Sequence, residues 1–221
     1  MTRQPWWKLL CIVLLISMLV VGLLMPVPAK PNIKESIRNY FFHPPLWVAM
    51  MTFFTTSVVY SIKYLRTGKL AFDFIAKEYA ATGLFFGLLG LSTGMFWAKY
   101  TWGAYWTGDP KLTGTVIGLL IYCAYIILRG SLTDLDKRAK TSSVYNIFAY
   151  VMLFPTLFII PRMMESLHPG SSGNPAINPK DVSIPMFVIF WTMAVPGYIL
   201  LGLWLTSLKI RINNIRERDI L

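Results

Sequence analysis

Long apolar segments are the feature that most restricts how this 221-residue chain can fold. Six blocks of mostly apolar residues recur along it, each close to the roughly 17–25 residues that an α-helix needs to cross a bilayer. Lipid offers no water to backbone polar groups, so a spanning segment must pair them internally, as an α-helix does. The sequence therefore predicts an all-α polytopic membrane protein, a bundle of six transmembrane helices with short loops, forming a single domain over residues 1–221. The predicted helices cover residues 9–25, 44–65, 79–99, 110–129, 144–161 and 184–208.

The composition agrees with this class and restricts the partners. Apolar residues make up 55% of the chain and charged residues 14%, whereas a soluble domain carries about a quarter charged residues. The net charge of +11 would by itself suit a nucleic-acid-binding protein. The basic residues lie in the connectors between apolar blocks rather than in one stripe, so we expect the lipid bilayer as a partner and no nucleic acid.

The distribution of Lys and Arg predicts the orientation. Most of them lie in the N-terminal segment, in the connectors 63–78 and 129–140, and in the C-terminal tail. Cytoplasmic loops carry an excess of positive charge, so these segments should face the cytoplasm. We therefore expect both termini to be cytoplasmic and three loops to face outward, at roughly 26–43, 99–110 and 161–184.

The helices carry three further local signals. The first block could be a secretory signal cleaved near Ala29, but its length favours a helix that is retained. Pro155 predicts a kink in the fifth helix. Gly-x-x-x-Gly pairs let helix backbones approach closely in lipid, so they predict contact between the third and fourth helices. The glycines concerned are Gly83, Gly87, Gly90, Gly94, Gly114 and Gly118.

A polar segment rich in aromatic rings joins the third and fourth predicted helices. Residues 99–113 read Lys-Tyr-Thr-Trp-Gly-Ala-Tyr-Trp-Thr-Gly-Asp-Pro-Lys-Leu-Thr. The segment is too polar to cross lipid and more aromatic than an ordinary loop. Its rings either form part of an interfacial aromatic belt or provide a platform for a flat apolar ligand. Asp109 followed by Pro110 fits a helix N-cap with proline at the first helical position.

The two histidines of the chain favour the second interpretation. His43 and His168 both fall in predicted outward loops. Either one alone is an ordinary polar residue at the membrane surface. Together with the ring-rich segment they predict a haem site, because neutral imidazole is a strong ligand for haem iron.

Other residue types in the outward segments fit the same ligand. Trp102, Tyr105 and Trp106 would support the porphyrin ring, and a lysine or arginine would pair with its propionates. The candidate cations are Lys99, Lys111 and Arg162. A zinc site built from the two histidines and Asp109 is possible by residue type, but it would leave the aromatic excess unexplained.

The segment Trp102-Gly-Ala-Tyr-Trp-Thr-Gly-Asp-Pro-Lys-Leu-Thr113 resembles the tryptophan-rich WWD motif of the CcmC/CcmF/CcsA haem-handling proteins. The whole layout, with six helices and a histidine in each flanking outward loop, resembles the CcmC (haem exporter protein C) family of cytochrome c-type biogenesis proteins. The resemblance implies that His43 and His168 are axial ligands of a transiently bound haem b. It assigns haem contact to the motif residues Trp102, Gly103, Tyr105, Trp106, Asp109 and Lys111.

The same resemblance implies a function. Proteins of this family hold haem at the outer face of the bacterial cytoplasmic (inner) membrane and deliver it to the haem chaperone CcmE, together with the CcmA–CcmB ABC transporter. We expect haem transport and no enzyme activity. The chain has no nucleotide-binding Gly-Lys motif, so any ATP use must come from partners. The sequence departs from the usual family pattern in three places, which carry Tyr105 in place of Trp, Gly108 in place of Trp, and Pro110-Lys111 in place of Ala-Arg.

Three alternatives stay open at this point. A cytochrome c haem lyase subunit would usually have more helices and large outward domains. A b-type membrane cytochrome would place its histidines inside helices at separated depths. A channel or transporter would carry ionisable residues within its spans.

Overall fold

The fold is a bundle of long helices. This computed structural model describes residues 6–28, 33–168 and 182–218, and within these ranges it contains no strand, which confirms the all-α prediction. The α-helices of the described ranges are α1 (Trp6–Leu24), α2 (His43–Thr67), α3 (Leu70–Trp102), α4 (Pro110–Ser131), α5 (Leu135–Phe154), α6 (Ile184–Ile189) and α7 (Val195–Arg218). Shorter segments adjoin them: 3₁₀-helices at Lys34–Phe41 and Ile160–Arg162, and π-helices at Pro155–Ile159 and Phe190–Ala194.

In the part of the chain that the structure describes, six helical rods are long and apolar enough to cross a membrane. They are Trp6–Leu24, Glu35–Thr67, Leu70–Trp102, Pro110–Ser131, Leu135–Arg162 and Ile184–Asn213. The fifth rod is α5 continued through a π-helix and a 3₁₀-helix, and the sixth joins α6 to α7 through the second π-helix. The predicted number of spans is confirmed, and the chain is an integral membrane protein.

Two helices begin earlier than predicted. α3 begins at Leu70 and α5 at Leu135, so most of the connectors expected at 63–78 and 129–140 are helical. Charged residues there extend helices that the apolar blocks begin, because Lys, Arg and Glu are good helix formers. The break between α2 and α3 falls at Gly68, whose φ of +68° gives the left-handed cap that glycine adopts readily.

The cleavage site considered near Ala29 and most of the loop expected at 161–184 lie outside the described residues.

α3 and α4 are in contact, as predicted, but most of the glycines of α3 pack against α2 instead. An added Cβ atom would lie 2.7 Å from the Phe54 ring at Gly83, 2.9 Å from the Trp47 ring at Gly90 and 2.7 Å from the His43 ring at Gly94. Only Gly87 also meets α4, at Leu119. Glycine is needed here because large side chains of α2 fill the space that a Cβ would occupy.

The glycines of α4 face a different neighbour. Gly114 lies against the carbonyl of Thr156, and an added Cβ at Gly118 would lie 3.0 Å from the Leu153 side chain. Both contacts are with the fifth rod. α4 therefore packs its small residues on α5 and the π-helix at Pro155–Ile159, where the kink predicted from Pro155 takes the form of a π-helical turn.

A buried ion pair joins α3 and α4 at one end of the bundle, which we call the ion-pair end. The Arg129 guanidinium donates to both carboxylate oxygens of Asp73 at 2.6 and 2.5 Å, and the two side chains are 6% and 4% exposed. Beside it, the Asn146 amide donates to the hydroxyls of Ser57 and Ser61 at 2.7 and 2.9 Å. This polar cluster ties α2 to α5 and α3 to α4.

Candidate functional site

A cavity of about 670 Å³ opens among the helices at the opposite end of the bundle, which we call the cavity end. This volume is within the range of small-molecule and cofactor sites, roughly 300–1,000 Å³. Its lining is mostly apolar and aromatic, with a few polar groups converging on it. The residues that carry the argument below are His43, Trp47, Trp97, Trp102, Lys111 and His168.

His43 is the first residue of α2 and lies on the cavity wall. Its Nδ1 lies 3.1 Å from the Thr93 hydroxyl of α3, and the Trp47 indole N–H donates to its Nε2 at 3.1 Å. Gly94 opposite the ring leaves the space that the imidazole occupies. Both ring nitrogens are therefore hydrogen-bonded. Sequence reasoning missed Trp47, although a spacing of four residues along a helix places it beside His43.

His168 reaches the same cavity from the segment that follows the fifth rod. Its Nδ1 lies 3.0 Å from a carboxylate oxygen of Asp109, and its ring centroid lies 5.2 Å from that of Trp102. Trp97 contacts both imidazoles, with centroid distances of 6.1 Å to His168 and 6.5 Å to His43. The two histidines thus share one cavity and one tryptophan, which sequence reasoning did not single out.

Asp109 has the capping role predicted for it and a second one. One carboxylate oxygen accepts a hydrogen bond from the Lys111 backbone N–H at 2.9 Å, which caps α4. The other accepts from the Ser166 hydroxyl at 2.9 Å and the Leu167 backbone N–H at 2.7 Å. Asp109 therefore anchors the segment that carries His168. Burial raises the pKa of this carboxyl. The adjacent His168, through its polar contact and its charge, and the hydrogen bonds from the Leu167 backbone N–H and the Ser166 hydroxyl outweigh burial and hold the pKa well below its usual value.

The ring-rich segment is divided between the cavity and the exterior. α3 continues to Trp102, which lines the cavity, and Gly103 ends the helix with a φ of +87°. Tyr105 and Trp106 are each 47% exposed and are absent from the described cavity lining. Gly108 has a φ of +71°, a backbone conformation that disfavours the tryptophan usual in the resembling family.

The three candidate cations also differ in position. Lys99 donates to the Gly103 carbonyl at 2.9 Å and Arg162 to the Phe158 carbonyl at 2.6 Å, outside the cavity lining among the described residues. Lys111 lines the cavity, and its buried ammonium has no hydrogen-bond partner within the described part of the chain. A buried cation without a partner favours an anionic group nearby, since an unpaired buried charge is costly. Of the three, Lys111 is positioned to meet a ligand carboxylate.

The cavity suits a flat, largely apolar ligand that carries a metal and an acidic edge. Within the described ranges no group of three or more His, Cys, Asp or Glu residues is close enough to hold a metal ion, so the zinc alternative lacks a third ligand there. Two imidazoles, one lysine and the rings of Trp47, Trp97 and Trp102 converge instead. Metal, ring and carboxylate contacts of one ligand would all be met from a single cavity.

Comparison with known proteins agrees with this chemistry. A family model described as Heme exporter protein C matches residues 1–220. A protein of that name from Paracoccus denitrificans is 27% identical over 221 residues, which covers 97% of this chain and 87% of the relative. Another from Haemophilus influenzae is also 27% identical, over 97% of this chain and 85% of its own length. A cytochrome c biosynthesis ccmC-like mitochondrial protein of Marchantia polymorpha is 28% identical over 71% of this chain and 66% of its own length.

Proposed function

This chain belongs to the haem exporter protein C family, whose role is haem handling for cytochrome c maturation, and we propose that it holds haem in the cavity described above. The observation that carries the proposal is the convergence of His43 and His168 on one cavity, with Trp97 in contact with both. The two histidines are far apart in sequence and reach the cavity from different elements. We propose His43 and His168 as the two axial ligands of the haem iron.

His168 would bind the iron through Nε2. Its Nδ1 lies 3.0 Å from an Asp109 carboxylate oxygen, so a proton on Nδ1 would face that carboxylate and leave Nε2 for the metal. A carboxylate behind a metal-binding histidine fixes its tautomer and orientation and makes it a better ligand. Asp109 therefore acts on the haem through His168, in addition to capping α4.

His43 would bind the iron by exchanging a hydrogen bond. The Trp47 indole N–H now occupies the lone pair of Nε2, and iron would take its place while Thr93 continues to orient the ring through Nδ1. The indole thus competes with the iron for one nitrogen. Such competition suits a protein that must hold haem and then release it.

The remaining contacts of the proposal follow from the cavity wall. Trp97 and Trp102 would lie against the porphyrin, and the Lys111 ammonium would pair with a propionate. Gly103 sets the position of Trp102 by ending α3 there. Tyr105 and Trp106, at the exposed rim, would contact the membrane interface and a protein that receives the haem.

We further propose that the cavity end faces outward, that haem passes from it to CcmE, and that the CcmA–CcmB transporter works with this chain. The first turn of α1 and the last turns of α7 lie on the side of the ion-pair end: Lys8 lies 5.1 Å from the Trp204 ring, and the Asn213 amide donates to the Glu78 carboxylate of α3 at 2.7 Å. The role is transport rather than catalysis. The b-type cytochrome alternative expects histidines at separated depths, whereas both histidines here line one cavity.

The test is haem binding by the purified protein, followed by its absorbance spectrum. We expect a spectrum with two imidazole ligands, and His43→Ala and His168→Ala should each weaken haem binding by about tenfold or more. Added imidazole should restore the spectrum of both variants. Tyr100→Ala is the control, because Tyr100 is a ring at the same end of α3 that is 83% exposed. Unchanged haem content and spectrum in both histidine variants would reject the axial assignment.

A further inference from the structure

The cavity is longer than the histidine site needs. Its lining follows one face of α2 from His43 to Thr56, which is about 20 Å of helix at the usual rise of roughly 1.5 Å per residue. The hydrocarbon core of a bilayer is about 30 Å thick, so a cavity that starts at the helix end reaches the middle of the membrane. Its inner part is lined by Met51, Thr52, Thr55 and Thr56 of α2.

Two π-helices also line the cavity. Leu157 and Phe158 belong to the π-helix Pro155–Ile159, and Trp191 belongs to the π-helix Phe190–Ala194. A π-helical turn shifts the residues that follow it and is often found at functional sites. Both rods beside this face of α2 therefore depart from α-helical geometry at the level of the cavity.

The inner part opens to the side of the bundle. Thr55 is exposed and lies about three turns into α2, at a depth where exposed atoms face lipid. The Thr55 hydroxyl lies 2.8 Å from the Tyr150 hydroxyl and donates to the Met51 carbonyl at 2.7 Å, so an opening here presents no unpaired hydroxyl to lipid. We call this exposed part of the cavity lining, at Met51, Thr52 and Thr55 of α2, the side opening.

We propose that the side opening is the route by which haem passes from the bilayer into the cavity. This inference rests on the proposed function and adds the source of the haem. Within the described lining, Lys111 is the one charged side chain, and it lies at the cavity end. A porphyrin therefore travels along an apolar, hydroxyl-lined passage, and its carboxylates reach a cation only where its iron reaches the histidines.

The test fills the opening and measures the rate of haem loading. Thr55→Trp places a bulky ring in the side opening, and Val59→Trp is the matched control, because Val59 lies one turn further along α2, is 44% exposed and is outside the cavity lining. Each variant is reconstituted in phosphatidylcholine nanodiscs whose bilayer contains haem, and loading is followed by absorbance. We expect Thr55→Trp to load at least about tenfold more slowly, Val59→Trp to load like the wild type, and all three to reach the same final spectrum.

A second arm supplies haem in water, bound to serum albumin, to haem-free nanodiscs. This haem reaches the histidines from the cavity end, so Thr55→Trp should load like the wild type. The proposal would be overturned if Thr55→Trp took up haem from the bilayer at the wild-type rate. It would also be overturned if loading slowed equally with both haem sources, or equally in Thr55→Trp and Val59→Trp. Failure of the proposed function would give a different result, because the His43→Ala variant would then show the same haem spectrum as the wild type. Should Thr55→Trp not accumulate, Thr55→Cys and Val59→Cys labelled with a bulky maleimide after purification give the same comparison.

Discussion

The two ends of the bundle differ in how their buried charged and polar groups are paired. At the ion-pair end, the opposite charges of Arg129 and Asp73 satisfy each other through two hydrogen bonds, and the Asn146 Nδ2 group donates to two serine hydroxyls, although its Oδ1 has no partner among the described residues. At the cavity end, the Lys111 ammonium has no hydrogen-bond partner in the described ranges, and the His43 Nε2 is held by an indole that a ligand can displace.

This difference separates stability from binding. A buried ion pair in which each charge satisfies the other locks its two helices in one arrangement, and breaking it by removing one partner is costly. Groups that face a cavity with one bond unmade, or with a bond that can be exchanged, are available to a ligand. Substitutions at the ion-pair end should therefore change stability, and substitutions at the cavity end should change haem affinity. The following predictions test that separation.

The largest effect is expected at the ion-pair end. Arg129→Gln leaves the Asp73 carboxylate buried without a counter-charge, so the free energy of unfolding should fall by about 3–5 kcal/mol. Denaturant-induced unfolding in detergent measures this change. The haem affinity of the protein that remains folded should match the wild type.

The matched variant for this prediction removes both charges. Arg129→Gln combined with Asp73→Asn leaves no unpaired charge and should recover most of the lost stability. If Arg129→Gln lowered haem affinity while leaving stability unchanged, the two ends would not be separate in the way described.

A smaller effect is expected where the two functions of Asp109 meet. Asp109→Asn keeps an N-cap for α4, because asparagine caps helices as well as aspartate does. It removes the carboxylate behind His168, so haem affinity should fall by roughly tenfold with little change in stability. Asp134→Asn is the control, since Asp134 caps α5 through the Lys137 backbone N–H and lies away from the cavity. Equal haem loss in both variants would assign the effect of Asp109 to capping alone.

The smallest effect has the opposite sign. Trp47→Phe keeps a ring but removes the indole N–H that competes for the His43 Nε2, so haem affinity should rise by about fivefold, the equivalent of one hydrogen bond of about 1 kcal/mol. Haem release to an acceptor should slow accordingly. Trp97→Phe removes an indole N–H that donates to the Ser36 hydroxyl, so it should show no such rise. A fall in affinity on Trp47→Phe would mean that the indole supports the haem site rather than competing with the iron.

Part of the site could be predicted because its signals are local. The Asp109 cap follows from Asp-Pro at the start of an apolar block, and a spacing of four residues would have placed Trp47 beside His43. The link from Asp109 to Leu167 has no such signal, because it joins residues far apart in sequence. Tyr105 was expected among the rings near the haem, but the turn after Gly103 carries it to the exterior, where it contacts Phe96. The roles of all these residues toward haem stay predictions.

The number and the approximate extent of the spanning helices could be read from the sequence alone, because the length and apolarity of each block decide whether that block can cross a bilayer. Only the tertiary structure decided which helix faces meet: α3 lays its glycines on α2, and Arg129 finds Asp73 inside the bundle. The physical reason is that spanning helices are apolar on every side, so hydrophobicity does not select their partners. Close packing and interhelical hydrogen bonds select them, and these depend on contacts between residues that the sequence keeps far apart.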